Sequence, residues 1–183
     1  MFSARRLDRG FSLTELLMIM AVAGTLMAFA LPILTDLGEG TKLAAAGREI
    51  ERELQSARLK AVTVNRVMRV RLNCPATGYF RTVEVLGNAT DQNTNRCVQS
   101  AFPFPAPDQD LITRPNFDGP VRLVSSGATV TSQMLEFRPD GTAALVVSNV
   151  AQDIVTPVTI TVTRKGKSKT VTVNGAGKVL LAQ

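Results

Sequence analysis

Residues 10–34 read GFSLTELLMIMAVAGTLMAFALPIL, and from Phe11 to Leu34 the only formally charged residue is Glu15. A helix over these 24 residues is ~36 Å long, enough to cross a hydrocarbon core of ~30 Å. The preceding MFSARRLDRG is short and basic. Arg5, Arg6 and Arg9 on that side predict a cytoplasmic N-terminus, with everything after Pro32 on the opposite side of the membrane. A secretory signal peptide shares the basic start and apolar centre, and Ala28-Phe29-Ala30 resembles its small-x-small cleavage site. The run is long for that reading, and an acidic residue near its start is foreign to it. Arg5-Arg6 is a bare pair and a weak match to a twin-arginine signal. A plain signal anchor explains the length and leaves Glu15 without a purpose.

An ionised carboxylate within an apolar segment costs ~2.5–3.5 kcal/mol on insertion scales, so Glu15 needs a partner. A cut after Gly10 makes Phe11 the new N-terminus. Its ammonium can then pair with Glu15 of an adjacent subunit, while the helix N-terminus favours the carboxylate.

Gly10-Phe11-Ser12-Leu13-Thr14-Glu15-Leu16 resembles the processing and methylation motif of type IV prepilins and type II secretion pseudopilins. The resemblance implies cleavage after Gly10 by a prepilin peptidase, methylation of Phe11, and a role in assembly for Glu15. It also implies a helix kink at Pro32, where the missing N–H and a clash with the carbonyl of Ala28 distort any helix.

Beyond Gly38 and Gly40, the residues Leu43, Gly47, Ile50, Leu54, Ala57, Ala61 and Val64 recur every three or four positions, giving one narrow apolar stripe on a helix. Lys42, Arg48, Glu49, Arg52, Glu53 and Lys60 fall largely on the other faces. After Asn65 the period changes. VMRVRL, GYFRTVEVL, VRLV, MLEF, TAALVV, VTITV and KTVTVN are short runs rich in β-branched residues between turn formers. RKGKSK and PDG at 139–141 read as turns, and the stretch 101–120, with five prolines, as a loop. The expected fold class is α+β and pilin-like. A long N-terminal helix, transmembrane in its first half and amphipathic in its second, packs on a mainly antiparallel sheet of five or more strands. The expected divisions are a leader over 1–10, the membrane and assembly helix over 11–34, the amphipathic half over 35–66 and an extracytoplasmic β-rich domain over 67–183.

Leu54-Gln55-Ser56-Ala57-Arg58, Leu135-Glu136-Phe137-Arg138-Pro139-Asp140-Gly141 and a closing pair of strands ending in Gly177-Lys178-Val179 are similar to the GspH/FimT branch of these proteins. The branch implies a minor pilin or pseudopilin of a type IV pilus or type II secretion system. It is anchored once in the bacterial inner membrane with its C-terminal domain in the periplasm, then built into a filament. Its implied partners are the prepilin peptidase, other pilins or pseudopilins, the inner-membrane assembly platform and the membrane itself. Some members carry a C-terminal Gly-Arg-x-Arg motif tied to DNA binding. Here the matching place reads Gly177-Lys178-Val179-Leu180, with one cation in place of two.

The formal charge of +6 permits attraction to nucleic acid without defining a ligand. A DNA-binding tip subunit is the alternative, with Arg164, Lys165, Lys167, Lys169 and Lys178 as its candidate phosphate contacts. Lysines on exposed turns and edges also serve solubility alone. A signal-anchored secreted enzyme is the outsider. Histidine is absent, which removes the commonest general base and nitrogen ligand, and no nucleophile elbow or phosphate loop is present, so no catalytic residue, metal or cofactor is expected. Asp91, Asn93 and Asn95 alternate as in some calcium loops, without the glycine and closing glutamate those loops need. Cys74 and Cys97 are the only cysteines, and outside the cytoplasm such a pair is more often a disulfide than a metal or redox site.

Overall fold

The computed structural model describes residues 12–105 and 115–182, without the side chains of residues 30–36, 94, 95 and 126. Gly10 and Phe11 lie outside the described residues. Helix α1 spans Leu13–Val64 and, among the described residues, ten β-strands follow it. The chain divides into two compact units, Met1–Gly38 and Glu39–Gln183.

In the first unit α1 is apolar on every face. Leu13, Met18, Met20, Leu26 and Phe29 are all exposed. A helix apolar all round is stable only when something buries it, a lipid core or neighbouring helices. The membrane span expected over 11–34 is only partly covered by described side chains. Among the described residues no helix is long and apolar enough to cross a membrane. Position 32 lies inside α1, which runs without interruption.

In the second unit Leu43, Ala46, Ile50, Leu54, Ala57 and Ala61 are buried, at the predicted three-and-four spacing. Val64 departs from the expected stripe and is exposed. The helix stops there, earlier than the expected 66. Asn65 takes a left-handed φ of 53° and the N–H of Arg66 donates to the carbonyl of Ala61, a Schellman-type ending. Ala46 takes a place in the stripe that its size conceals in the sequence.

Two antiparallel sheets replace the single one expected. The first has the order β3-β2-β1-β5-β6-β7, from β1 (Met68–Leu72), β2 (Tyr79–Glu84), β3 (Arg122–Leu123), β5 (Met134–Phe137), β6 (Ala143–Val147) and β7 (Val150–Asp153). The second runs β10-β9-β8-β4, from β4 (Thr129–Val130), β8 (Val158–Arg164), β9 (Lys167–Val173) and β10 (Val179–Leu181). Alternation along a strand fixes which residues share a face but not which strands pair, so it cannot count sheets. Met68, Val70, Phe80, Leu135 and Phe137 of the first sheet and Ile160, Val162, Val171 and Val173 of the second meet the α1 stripe in one core. The α+β class is as expected.

Both predicted turns form. Lys165 and Gly166 take φ of 45° and 77°, the paired positive values of a type I′ hairpin between β8 and β9. Arg138-Pro139-Asp140-Gly141 closes β5 onto β6, the N–H of Gly141 donating to the carbonyl of Arg138.

Candidate functional site

Three places bear on function: the start of α1, the outer face of the first sheet, and the β8–β9 hairpin. At the first, the N–H groups of Glu15 and Leu16 both donate to the carbonyl of Ser12. Glu15 therefore sits in the first helical turn, exposed, where the helix dipole favours a carboxylate.

The second place holds charges that the sequence pattern conceals. In β1, Met68, Val70 and Leu72 face the core, which turns Arg69 and Arg71 to the opposite face. The cross-strand register sets Arg71 opposite Arg81 and Arg69 opposite Glu136. This outer face is not solvated. Residues 85–105, with their 3₁₀ turns at Ala89–Gln92 and Thr94–Cys97, cover it together with the segment around Asp118. Arg69 Nε donates to Glu136 Oε1 at 2.8 Å. Arg81, fully buried, donates Nε to the carbonyl of Gly119 at 2.6 Å and Nη1 to that of Arg96 at 2.6 Å. Arg96 holds Asp91 Oδ1 at 2.8 Å through Nη1 and Asp118 Oδ1 at 2.5 Å through Nη2.

Burial pushes the Asp118 carboxyl above its usual range against the opposing pull of Arg96. Burial likewise pushes the Arg81 guanidinium down. Asp91, first of the calcium-like alternation, is committed to protein donors: Leu86 N at 2.9 Å, Gly87 N at 2.6 Å and Arg96. Among the described residues no group of three His, Cys, Asp or Glu is placed to hold a metal.

Cys74 and Cys97 are bonded, their Cα atoms 5.2 Å apart. The bond ties the end of the Arg96 turn to the residues following β1. Closing a loop of this length contributes about 3 kcal/mol through the unfolded chain. The sequence does not single out the buried arginines or Asp118, and it marks Asp91 only as part of a calcium-like alternation and Glu136 only within a family-like segment. Arg alternating with Met, Val and Leu in MRVRL normally marks a solvent face, and the one signal that it does not is the long Pro-rich connection that has to lie somewhere.

At the third place the candidate DNA contacts do not form one patch. Arg164 and Lys167 are directly opposed across the hairpin. Arg164 Nε donates to Glu39 Oε2 at 2.6 Å and Lys165 Nζ to Glu39 Oε1 at 3.3 Å. Lys169 lies opposite the buried Val162, only partly exposed. Lys178 belongs to the other end, because Val179 pairs with Val173. Six residues along β9 separate Val173 from Lys167, about 20 Å of strand.

The two hydrogen bonds from Arg164 and Lys165 hold the Glu39 carboxyl well down, from 4.5 to about 2, against the opposing effect of burial. A depressed carboxylate contributes stability that is fully present above its ordinary value and is lost as pH falls through the folded one. The hairpin tip should therefore loosen between pH 4.5 and 2, read as lower amide protection factors at residues 164–167. In Glu39→Gln that acid dependence should disappear. An unchanged pH profile in this variant would show that Glu39 does not hold the tip.

A family model described as type II transport protein GspH matches residues 46–177, and one described as the prokaryotic N-terminal methylation motif matches residues 5–31. No protein of curated function matches the chain by sequence. Among solved structures, the type IV minor pilin FimU of Pseudomonas aeruginosa is similar over 77% of this chain and 93% of its own, at 18% identity and a TM-score of 0.45. A second crystal form of FimU gives 80% and 92%, at 18% identity and a TM-score of 0.48. The minor pseudopilin EpsH from the type 2 secretion system of Vibrio cholerae is similar over 77% and 96%, at 14% identity and a TM-score of 0.45. The GspH match takes in α1 from residue 46 onward, strands β1 to β9 and the disulfide, with the methylation motif ahead of it on the same chain: this protein belongs to the type II transport protein GspH family.

Proposed function

We propose that the chain is a minor subunit of an extracytoplasmic filament, a type II secretion pseudopilus or a type IV pilus. The leader ends at Gly10, prepilin peptidase cuts there, and Phe11 becomes the methylated N-terminus. Residues 11–34 hold the precursor in the inner membrane with the β-rich unit in the periplasm, and the assembly platform then passes the subunit into the filament. There Glu15 accepts the Phe11 ammonium of the adjacent subunit.

The observation that carries this reading is the pairing on one chain of the methylation-motif match over 5–31 with a first helical unit whose apolar side chains are exposed. Such a surface needs a second medium, which membrane and filament supply in turn. The disulfide agrees with a periplasmic location. A nucleic-acid role has no specific observation in its favour, since Lys178 is remote from the hairpin tip and Arg164 is engaged by Glu39.

Intact-mass measurement of protein from cells with active prepilin peptidase should give a chain beginning at Phe11 with one added methyl group. A chain beginning at Met1 or Leu31 would overturn the reading.

A further inference from the structure

One flank of α1 carries a continuous groove. Adjoining cavities of about 460, 240 and 420 Å³ share Glu53, Ser56 and Arg122 between the first two and Lys60 and Phe117 between the last two. From Ala45 to Val64 the groove follows about 28 Å of helix. That length suits an extended chain better than a small molecule.

The groove's acids face inward. Glu49 accepts from the N–H of Ser125 at 2.9 Å. Glu53 accepts from Thr82 Oγ1 at 2.5 Å and from Arg122 Nη1 at 3.1 Å. Glu84, 1% exposed, accepts the N–H of Phe117 on Oε2 at 3.1 Å.

The cations face outward. Arg52 is exposed. The Lys60 ammonium lies 3.2 Å from the centre of the Phe117 ring, and burial pushes it below its usual range. Arg66, 59% exposed, keeps Nε 3.8 Å from Glu84 Oε1, beyond hydrogen-bond reach. That buried Oε1 has no hydrogen-bond partner among the described residues, and Glu84 lines the same cavity as Lys60 and Arg66.

We propose that this groove receives an acidic, extended segment of a partner protein, with carboxylates on Arg52, Lys60 and Arg66. Positive rims with their acids already engaged attract carboxylates, and complementary charge fixes register as well as rate. The apolar lining between those cations, Ala57, Val64 and Phe117, suits the alternate side chains of an extended peptide. The proposal does not depend on processing at Gly10.

The test uses the full chain in detergent micelles and a labelled peptide of alternating Asp and Val, with Asn replacing every Asp in its control. The first variant carries Arg52→Gln, Lys60→Gln and Arg66→Gln. The second keeps Arg66, so that Glu84 retains its neighbour. A third removes the same amount of charge elsewhere, through Lys165→Gln, Lys167→Gln and Lys178→Gln. Fluorescence anisotropy at low salt should show a loss of about tenfold in the triple groove variant, a smaller loss in the second, and less than about twofold in the third.

Equal losses in the first and third variants, equal binding of the Asn peptide, or no binding to the unmodified chain would overturn the proposal. Binding that appears only with Asp108→Asn and Asp110→Asn would overturn it in favour of the chain's own acidic segment. Tighter binding of a thymidine oligonucleotide, lost in the groove variants, would overturn it in favour of nucleic acid.

Discussion

Arg96→Met should lower the stability of the β-rich unit by about 3–5 kcal/mol, the range for breaking a buried ion pair by removing one partner. The side chain is 1% exposed and touches two carboxylates, Asp91 and Asp118, and the carbonyl of Glu84. Methionine keeps most of the volume and removes every donor. Asp118, 2% exposed, then keeps a charge that burial already disfavours and that Arg96 no longer offsets. Adding Asp118→Asn should restore part of the loss, because the stranded charge goes with it. Arg48→Met, at an exposed position on α1, should cost within about 0.5 kcal/mol. Urea unfolding of the full chain in micelles, followed by far-ultraviolet circular dichroism, reads all three. A loss below about 1 kcal/mol for Arg96→Met would show that the network merely fills space.

That network marks the limit of what this sequence discloses. The Leu43–Ala61 stripe is legible because a helix against a sheet repeats every three or four residues, and the β8–β9 hairpin because Lys165-Gly166 sits between two alternating runs. Arg69, Arg71 and Arg81 also alternate with apolar residues, and alternation separates two faces without saying what covers the second. The cover is residues 85–105 with the segment around Asp118, whose sequence lacks any period that would give away its position. Lys178 is a parallel case. It follows the hairpin closely in sequence, yet the antiparallel return of β10 sets it beside the far end of β9.

Of the candidate site, the motif around Gly10, Phe11 and Glu15 is legible for a different reason. A charge in an apolar run is costly, and a costly residue implies a partner. The helix end at Val64 is the smaller lesson, since a cap on Asn65 overrides a period that would have continued.

The same cost yields the second large expected effect. Glu15→Ala removes a charge from the apolar segment, so membrane insertion should be retained or improved, by up to ~2.5–3.5 kcal/mol on insertion scales. In the proposed assembly the Phe11 ammonium of the neighbouring subunit then has no carboxylate to meet. An unpaired charge in an apolar interface disfavours assembly enough to lower incorporation by about tenfold or more. Glu15→Gln keeps the shape and hydrogen-bonding reach without the charge and should assemble little better, whereas Glu15→Asp should recover part of the loss. The decisive measurement is the amount of this protein in sheared, purified filaments from cells holding equal membrane levels of the unmodified chain and of Glu15→Ala. The account predicts the unmodified chain in the filament fraction and Glu15→Ala retained in the membrane fraction; equal incorporation of the two, or absence of both from filaments, would contradict it.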